Sequence, residues 1–386
     1  MNKINNFILL FVVICMFSCK EQQNEISLES SSSISFHINK AKKIENFSDI
    51  CNGVTFIELE TKDEAAIENI DKLKITNDRI YIQDRSQIVI FDISGNYIYK
   101  INNKGAGPHE YIEISDFDIT LNNEILISDC LSKKIIIYDN HGNYISHKVF
   151  SSFIESIAVL NDSLYAIDCS GSVDKQLLIW NRNKDKIVNS HFEYEHRFTL
   201  PLQQTFCRIN NEIYYQIPLS NKFYSISKEG NISNEFFLDY KDYNIRESDI
   251  KNVSIFGGII PIDEGRNVET KTFYENSRFY CSHYVCERLN NEAYYLHFLS
   301  NRTKNEYILN SENFNDDILF YDYAILPLIS AVYNDKFIGI VYPYIWKDCI
   351  EEINDSRCNT EQFRNIKNYV SKLSIEQNPI LVIYDI

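Results

Sequence analysis

Asn77-Asp78-Arg79-Ile80-Tyr81 sets out a pattern that recurs along the chain: Asn with a second turn-forming residue, one polar or charged residue, then two large strand formers. The other copies are Asn122-Asn123-Glu124-Ile125-Leu126, Asn161-Asp162-Ser163-Leu164-Tyr165, Asn210-Asn211-Glu212-Ile213-Tyr214, Asn276-Ser277-Arg278-Phe279-Tyr280 and Asn334-Asp335-Lys336-Phe337-Ile338. Asn and Asp tolerate the left-handed backbone of a tight hairpin, so each copy reads as a turn joining two strands. The spacings of 45, 39, 49, 66 and 58 residues suit four-stranded blades with insertions. The pattern predicts an all-β fold, a six-bladed β-propeller.

Blade 1 shows the expected layout, with strands at 71–76, 80–83, 88–91 and 97–101. Gly95-Asn96, Gly142-Asn143 and Gly230-Asn231 mark the turns between third and fourth strands, where Gly supplies positive φ. The last blade runs out of chain. It has strands near 328–333, 337–341 and 380–384 and no fourth. Residues 54–60 alternate as a strand but precede blade 1, so the missing fourth strand is predicted to come from the N-terminal end, closing the ring and hiding its edges. Residues 359–373 interrupt the β pattern with a helical face of Phe363, Ile366, Val370 and Leu373 and a capping spacing from Asn359 to Gln362, an insertion in the last blade.

Upstream of the propeller, Lys3 precedes an apolar run from Phe7 to Phe17 and then Ser18-Cys19, the order of a secretory signal and too short to span a bilayer. Residues 1–18 therefore read as a signal peptide, 19–50 as a flexible tether and 51–386 as the propeller. The net charge of −16 argues against a nucleic-acid partner. With 26 Tyr and 24 Phe beside 11 Gly and 7 Pro, the composition is that of a strand-rich globular body.

Met16-Phe17-Ser18-Cys19 resembles a lipobox, which implies cleavage before Cys19 and acylation of its thiol. The segment with Tyr81 to Asp84, Ile88 to Asp92 and Gly95 resembles an NHL-type repeat, and Ile125 to Tyr144 repeats it. Together with the 104–111 loop and the terminal 378–384 strand, the mature chain resembles the six-bladed propeller lipoproteins of Bacteroidota. That resemblance implies an envelope-attached propeller, on the outer membrane, and carries no established reaction or catalytic residue.

In such a ring the first-to-second and third-to-fourth connections share one rim, and the remaining connections share the other. The first rim holds the tight turns. The second holds the long stretches at 102–112, 195–204, 241–270, 287–292 and 342–379, where binding is expected, over the central channel. On it, Tyr342, Tyr344 and Trp346 offer flat faces to a sugar or an apolar partner, or else form a lid packed beneath the helix. His109, Glu110 and Tyr111 either reach a ligand or fix the crossing from blade 1 to blade 2. Asp84, Asp129 and Asp168 each stand seven residues after a turn Asn. They either ring a cation, as in metal-dependent propeller lactonases and lyases, or bond backbone N–H groups in their own turns.

Cys281 and Cys286 fall on opposite faces of one predicted strand and cannot pair if it is straight. No nucleophile motif, zinc signature or phosphate loop appears. The sequence thus favours a lipid-anchored binding protein, engaging a protein partner or glycan without a cofactor, over a metal-dependent hydrolase or lyase.

Overall fold

Strands Arg79–Asp84 and Gln87–Asp92 carry Ile80, Tyr81, Ile82, Ile88, Val89, Ile90 and Phe91, all with no exposed surface. A sheet apolar on both faces has to lie between two others. Strand parity sends the two sets in opposite directions. Tyr81, Ile88 and Ile90 pack with Phe117, Ile125 and Ile127 of the following sheet, whereas Ile80, Ile82, Val89 and Phe91 pack with Ile338 and Leu381 of the last one. The first sheet therefore touches both the second and the last, which is the contact that makes a ring.

The computed structural model describes residues 32–169, 175–193, 205–217, 220–244, 268–288, 291–310, 316–321, 329–354 and 356–386. The predicted signal segment, residues 1–18, and Cys19 lie outside them. Six separate sheets form a six-bladed β-propeller. Inner strands are Lys72–Ile75, Asp116–Ile119, Ser156–Val159, Phe206–Ile209, Val268–Glu275 and Ala331–Tyr333. The predicted strands of blade 1 are all present, the outermost at Tyr97–Ile101.

The repeated Asn turns solve one problem in different ways. Asn210-Asn211 and Asn334-Asp335 take positive φ at both positions, and Asn123 at one. At Asn161 and Asn276 the side-chain oxygen instead accepts the N–H groups two and three residues on, at 2.7–2.9 Å.

Closure is as expected. Val54–Glu58 pairs antiparallel with Ile380–Tyr384 as the fourth strand of blade 6, in the register Val54 to Tyr384 and Glu58 to Ile380. Buried Asn378 holds the junction: its amide oxygen accepts Ile67 N–H (2.9 Å), and its amide nitrogen donates to the carbonyls of Glu60 (2.9 Å) and Ala65 (2.8 Å). Blade 1 meets the same strand at Gly95, whose φ is +89° and whose carbonyl accepts Glu60 N–H at 2.8 Å.

The segment preceding this strand differs from expectation. Residues 32–50, assigned by sequence to the tether, lie along the outside of the ring. Ser32–Ser35 adds to blade 4 as a fifth strand, parallel to Ile232–Asp239, and Lys42–Lys43 adds to blade 5, parallel to Glu306–Asn310. Between them Phe36 is fully buried, stacked on Tyr240 at 5.5 Å, and Glu306 binds His37 through both the backbone N–H (2.5 Å) and Nδ1 (2.6 Å). Burial alone would raise the Glu306 carboxyl; hydrogen bonds from His297 and His37 override it and hold it down at about 2.

The helical insertion is also larger than predicted. Helix α1 (Pro343–Glu352) precedes α2 (Glu361–Val370), and only the second is in the expected place. Pro343 at the first helical position pre-sets α1. Thr360, rather than Asn359, caps α2 by accepting Phe363 N–H at 3.1 Å.

A Cβ at Gly95 would lie 2.1 Å from the Glu58 carbonyl oxygen, on top of the left-handed penalty. Gly95→Ala is expected to cost about 2 kcal/mol or more in denaturant melts. Gly53→Ala, which meets nothing within 4 Å, is the control and leaves the midpoint nearly unchanged.

Candidate functional site

The inner strands of blades 1 and 2 read Lys72-Leu73-Lys74 and Asp116-Phe117-Asp118, so alternation puts each pair of like charges on one side of its strand. They line a central cavity of about 770 Å³. Lys72 bonds Asp116 and donates to the Phe117 carbonyl at 3.1 Å, while Lys74 bonds Asp118. Each carboxylate has a second task. Asp116 accepts Phe117 N–H (2.8 Å) and, across the blade boundary, Ile157 N–H (3.0 Å); Asp118 accepts Ile119 N–H (2.7 Å) and Val159 N–H (2.8 Å). Two aspartates thereby join blades 1, 2 and 3.

Burial pushes the Lys74 ammonium down, more than Asp118 draws it up. For Asp118, burial would raise the carboxyl, but Lys74, Arg208 and Lys72 together lower it. Sequence reading missed these residues by looking to loops; the signal was the Lys-x-Lys and Asp-x-Asp alternation on predicted inner strands.

The 102–112 connection is a strut. Tyr111 is fully buried, and its hydroxyl donates to the Ser86 carbonyl at 2.8 Å, which corrects its placement as a ligand contact. Burial raises its pKa. Glu110 accepts Gly107 N–H at 2.8 Å. His109 is exposed, but its ring meets Tyr144 on the outer strand of blade 2 at 4.8 Å, and its carbonyl accepts the Tyr138 hydroxyl at 2.7 Å. The loop leans outward over blade 2 and not over the channel.

The three aromatics of the insertion separate. Trp346 is fully buried as part of a lid, its indole N–H donating to the Leu319 carbonyl (2.7 Å) and its ring edge-on to Phe56 at 5.6 Å. Tyr342 is half-buried; its hydroxyl accepts Ile70 N–H (3.0 Å) and donates to Asn69 (3.2 Å). Tyr344 is 49% exposed, with its ring 6.0 Å from that of Tyr342. Ile70 borders the cavity, so Tyr342 reaches a residue at its long-loop edge, and Tyr344 stands beside Tyr342 on the same rim. Of the other long connections, 195–204 and most of 241–270 lie outside the described residues. At 287–292 the strands Phe279–Arg288 and Asn291–Ser300 continue instead, with only 289–290 outside the description.

Asp84 accepts Glu68 N–H (3.1 Å), Asn69 N–H (3.2 Å) and the Gln87 amide (2.9 Å). Asp129 accepts Ile112 N–H (2.8 Å) and both N–H and hydroxyl of Ser132. Asp168 receives the Tyr215 hydroxyl at 3.0 Å. The first two are turn and crossing caps, and all three sit in separate blades. Among the described residues no three His, Cys, Asp or Glu side chains are grouped to share an ion. Cys281 is a buried thiol raised further by desolvation; the Cys286 side chain lies outside the description.

Helices α1 and α2 both dock on residues 316–321. Leu319 receives Trp346, Ile318 receives the Gln362 amide (3.0 Å), and Asp316 shapes the turn by accepting Ile318 N–H (3.0 Å) and Leu319 N–H (2.7 Å). One Asp316 oxygen is buried without a hydrogen bond, and burial raises the carboxyl to about 7. The unfolded chain ionises near pH 4 while the folded one stays protonated, so stability falls as pH rises from about 4 to about 7. Asp316→Asn keeps the acceptor and cannot ionise. Urea melts are expected to show it removing a slope of up to about 1.4 kcal/mol per pH unit across that window.

No curated protein matches the chain. Among solved structures, a protein of Bacteroides fragilis NCTC 9343 described as exported superposes with a TM-score of 0.73 at 18% identity, covering 92% of this chain and 99% of that one. A member of the DUF4221 family from Bacteroides vulgatus superposes with a TM-score of 0.50 at 10% identity, covering 86% and 98%. Both similarities concern the fold. Residues 32–385, from the first outer strand to the end of the closing blade, match one family model, and the chain belongs to that family, the Domain of unknown function DUF4934.

Proposed function

We propose that the protein is a lipid-anchored binding protein of the cell envelope, acylated at Cys19, held at the outer membrane and engaging a glycan or protein partner through its long-loop rim. The observation that carries this reading is the exposed Tyr344 ring beside Tyr342 on the long-loop rim. Tyr344 presents a flat ring to solvent, while α1 beneath it is pinned by Trp346 to a buried carbonyl. A rigid aromatic beside polar groups favours a saccharide, whose apolar ring face stacks and whose hydroxyls need donors and acceptors. The lipobox-like Met16-Phe17-Ser18-Cys19 and the fold shared with a Bacteroides fragilis protein described as exported support the location.

Two measurements test the reading. Cys19→Ala is expected to move the protein from the membrane fraction to the soluble fraction of cells; retention in the membrane would remove the anchor. Against a panel of envelope and dietary oligosaccharides, Tyr344→Ala is expected to weaken binding about tenfold with an unchanged melting temperature. Equal affinities of wild type and variant for every binding sugar would remove the rim site.

A further inference from the structure

The belt and the turn beside it bring five exposed cations to the outer edge of blade 5. In the belt, Lys40, Lys42 and Lys43 fill three of four consecutive positions. Lys42 and Lys43 pair with Tyr307 and Ile308 of the outer strand Glu306–Asn310, and His37 binds Glu306 at its start. Lys40 N–H and Ala41 N–H both donate to the His37 carbonyl, at 2.8 and 2.9 Å, which keeps Lys40 close to the same strand end. The turn that leads into this strand is closed by Ser300 N–H on the Asn305 carbonyl (2.9 Å) and carries Arg302 and Lys304.

Among the described residues none of these five cations is in an ion pair. Of the acids around them, Glu306 is held by His37 and His297, and Asp239, across the boundary with blade 4, by Lys241. Glu45 remains, with Asp242, whose neighbour Tyr243 bonds Asn39 at 3.0 Å. The corner therefore keeps a positive surplus on a chain of net charge −16. Blunting of a sheet edge accounts for Lys42 and Lys43, but not for Lys40, Arg302 and Lys304, which lie outside the strands. The Ser300–Asn305 turn is a third-to-fourth connection, so the corner lies toward the tight-turn rim. Ser32–Ser35 runs parallel to Ile232–Asp239, so its amino end points to the turn at Gly230, a connection of the same kind. Cys19 stands thirteen residues further back, within about 45 Å of Ser32 even along a fully extended chain.

We propose that this corner is a docking surface for anionic phospholipid, setting the propeller on the bilayer by its tight-turn side with the long-loop rim turned away. The proposal rests on the membrane anchor read at Cys19 and not on the rim site. A bilayer feels charge within about a Debye length, ~10 Å at 0.1 M salt, so the local surplus outweighs negative charge elsewhere on the body. Ammonium groups on flexible stems suit headgroup phosphates that move in the plane of a bilayer and need charge rather than a shaped pocket. In keeping with that, none of the five cations lines either described cavity. Acyl chains hold a protein at a surface but leave it free to tumble on its tether; a second, electrostatic contact fixes which face looks outward.

Cosedimentation of the purified Cys19→Ala protein with vesicles separates the corner from the anchor, because that protein carries no acyl chain. Binding to phosphatidylcholine vesicles containing about 30% phosphatidylglycerol is expected to be at least about tenfold tighter than to phosphatidylcholine alone, and to fall as sodium chloride is added. A triple variant, Lys40→Ser with Lys42→Ser and Lys43→Ser, and a double variant, Arg302→Ser with Lys304→Ser, are each expected to weaken it at least about tenfold, at about fivefold for each cation lost. Lys367→Ser with Lys372→Ser, exposed cations of the helical insertion, and Tyr344→Ala are expected to leave it unchanged. Equal binding to the two kinds of vesicle, or a loss in the helical variant as large as in the corner variants, overturns the docking surface. Retention on a heparin column without binding to vesicles assigns the corner to another polyanion and overturns it as well. If the belt variant does not fold, the double variant in the turn decides. The vesicles carry no sugar, so failure here leaves the tests of Cys19 and Tyr344 standing.

Discussion

Five residues near the N-terminal end of the described chain, Val54–Glu58, lie against five at its C-terminal end, Ile380–Tyr384, and every blade depends on that pairing. Without it, blade 6 would expose the backbone of a strand whose Ile380, Leu381 and Val382 have no exposed surface. The pairing is reinforced from both sides. Phe56 stacks on Tyr369 of α2 at 4.9 Å, Glu58 receives the Tyr369 hydroxyl (2.7 Å) and the Gln377 amide (3.1 Å), and Asn378 is saturated by backbone groups of residues 60–67. A closure joining residues over 300 positions apart carries a large loop entropy, so the many polar ties at this one junction are placed where the chain most needs them.

The N-terminal belt extends the same logic around half of the ring. Residues 32–58 visit blades 4, 5 and 6 in order, as fifth strand, fifth strand and fourth strand. The belt covers outer edges that a propeller otherwise leaves open, while the outer strands of blades 2 and 3 keep Tyr144, Ile145, Val149, Ile187 and Val188 partly exposed. Its apolar residues Phe36, Ile44, Phe47 and Ile50 are all buried, but they fall at intervals of 8, 3 and 3, which match neither a strand nor a long helix. With strands of four and two residues, this segment had no periodic signature, and a polar run such as Ser30 to Ser33 resembles a linker. The belt became visible only through its partners.

Blades and closure were legible because turn chemistry and strand parity act locally and repeat. The site was less so. Tyr111 and Trp346 are aromatics on long connections, but each has a polar atom that finds a buried carbonyl, and that satisfied hydrogen bond decides between core and surface. Tyr344, two residues from Trp346, is left exposed because α1 turns it away from the buried face formed by Pro343, Trp346 and Ile350. The same helix was hidden from sequence by its aromatic composition, which reads as strand or loop. Asp84 and Asp129 followed the simpler chemistry of acids at strand ends, accepting backbone N–H groups.

Closure and channel chemistry are coupled through blade 1. Its inner strand, through Leu73, shares one apolar cluster with Ile80, Ile82 and Phe91 of the next two strands and with Ile338 and Leu381, and that cluster exists only while blade 6 is complete. On the other side the same strand presents Lys72 and Lys74 to Asp116 and Asp118, whose outer oxygens reach the backbone of blade 3. Desolvation of these lysines is tolerable only with the aspartates in place, and the aspartates are in place only while blades 1, 2 and 3 keep their spacing. Loosening the terminal strand would therefore free blade 1 to move from blade 2 and separate the ion pairs that bridge the two. Arg208, on blade 4, acts on the same network, because its charge helps to hold the Asp118 carboxyl down.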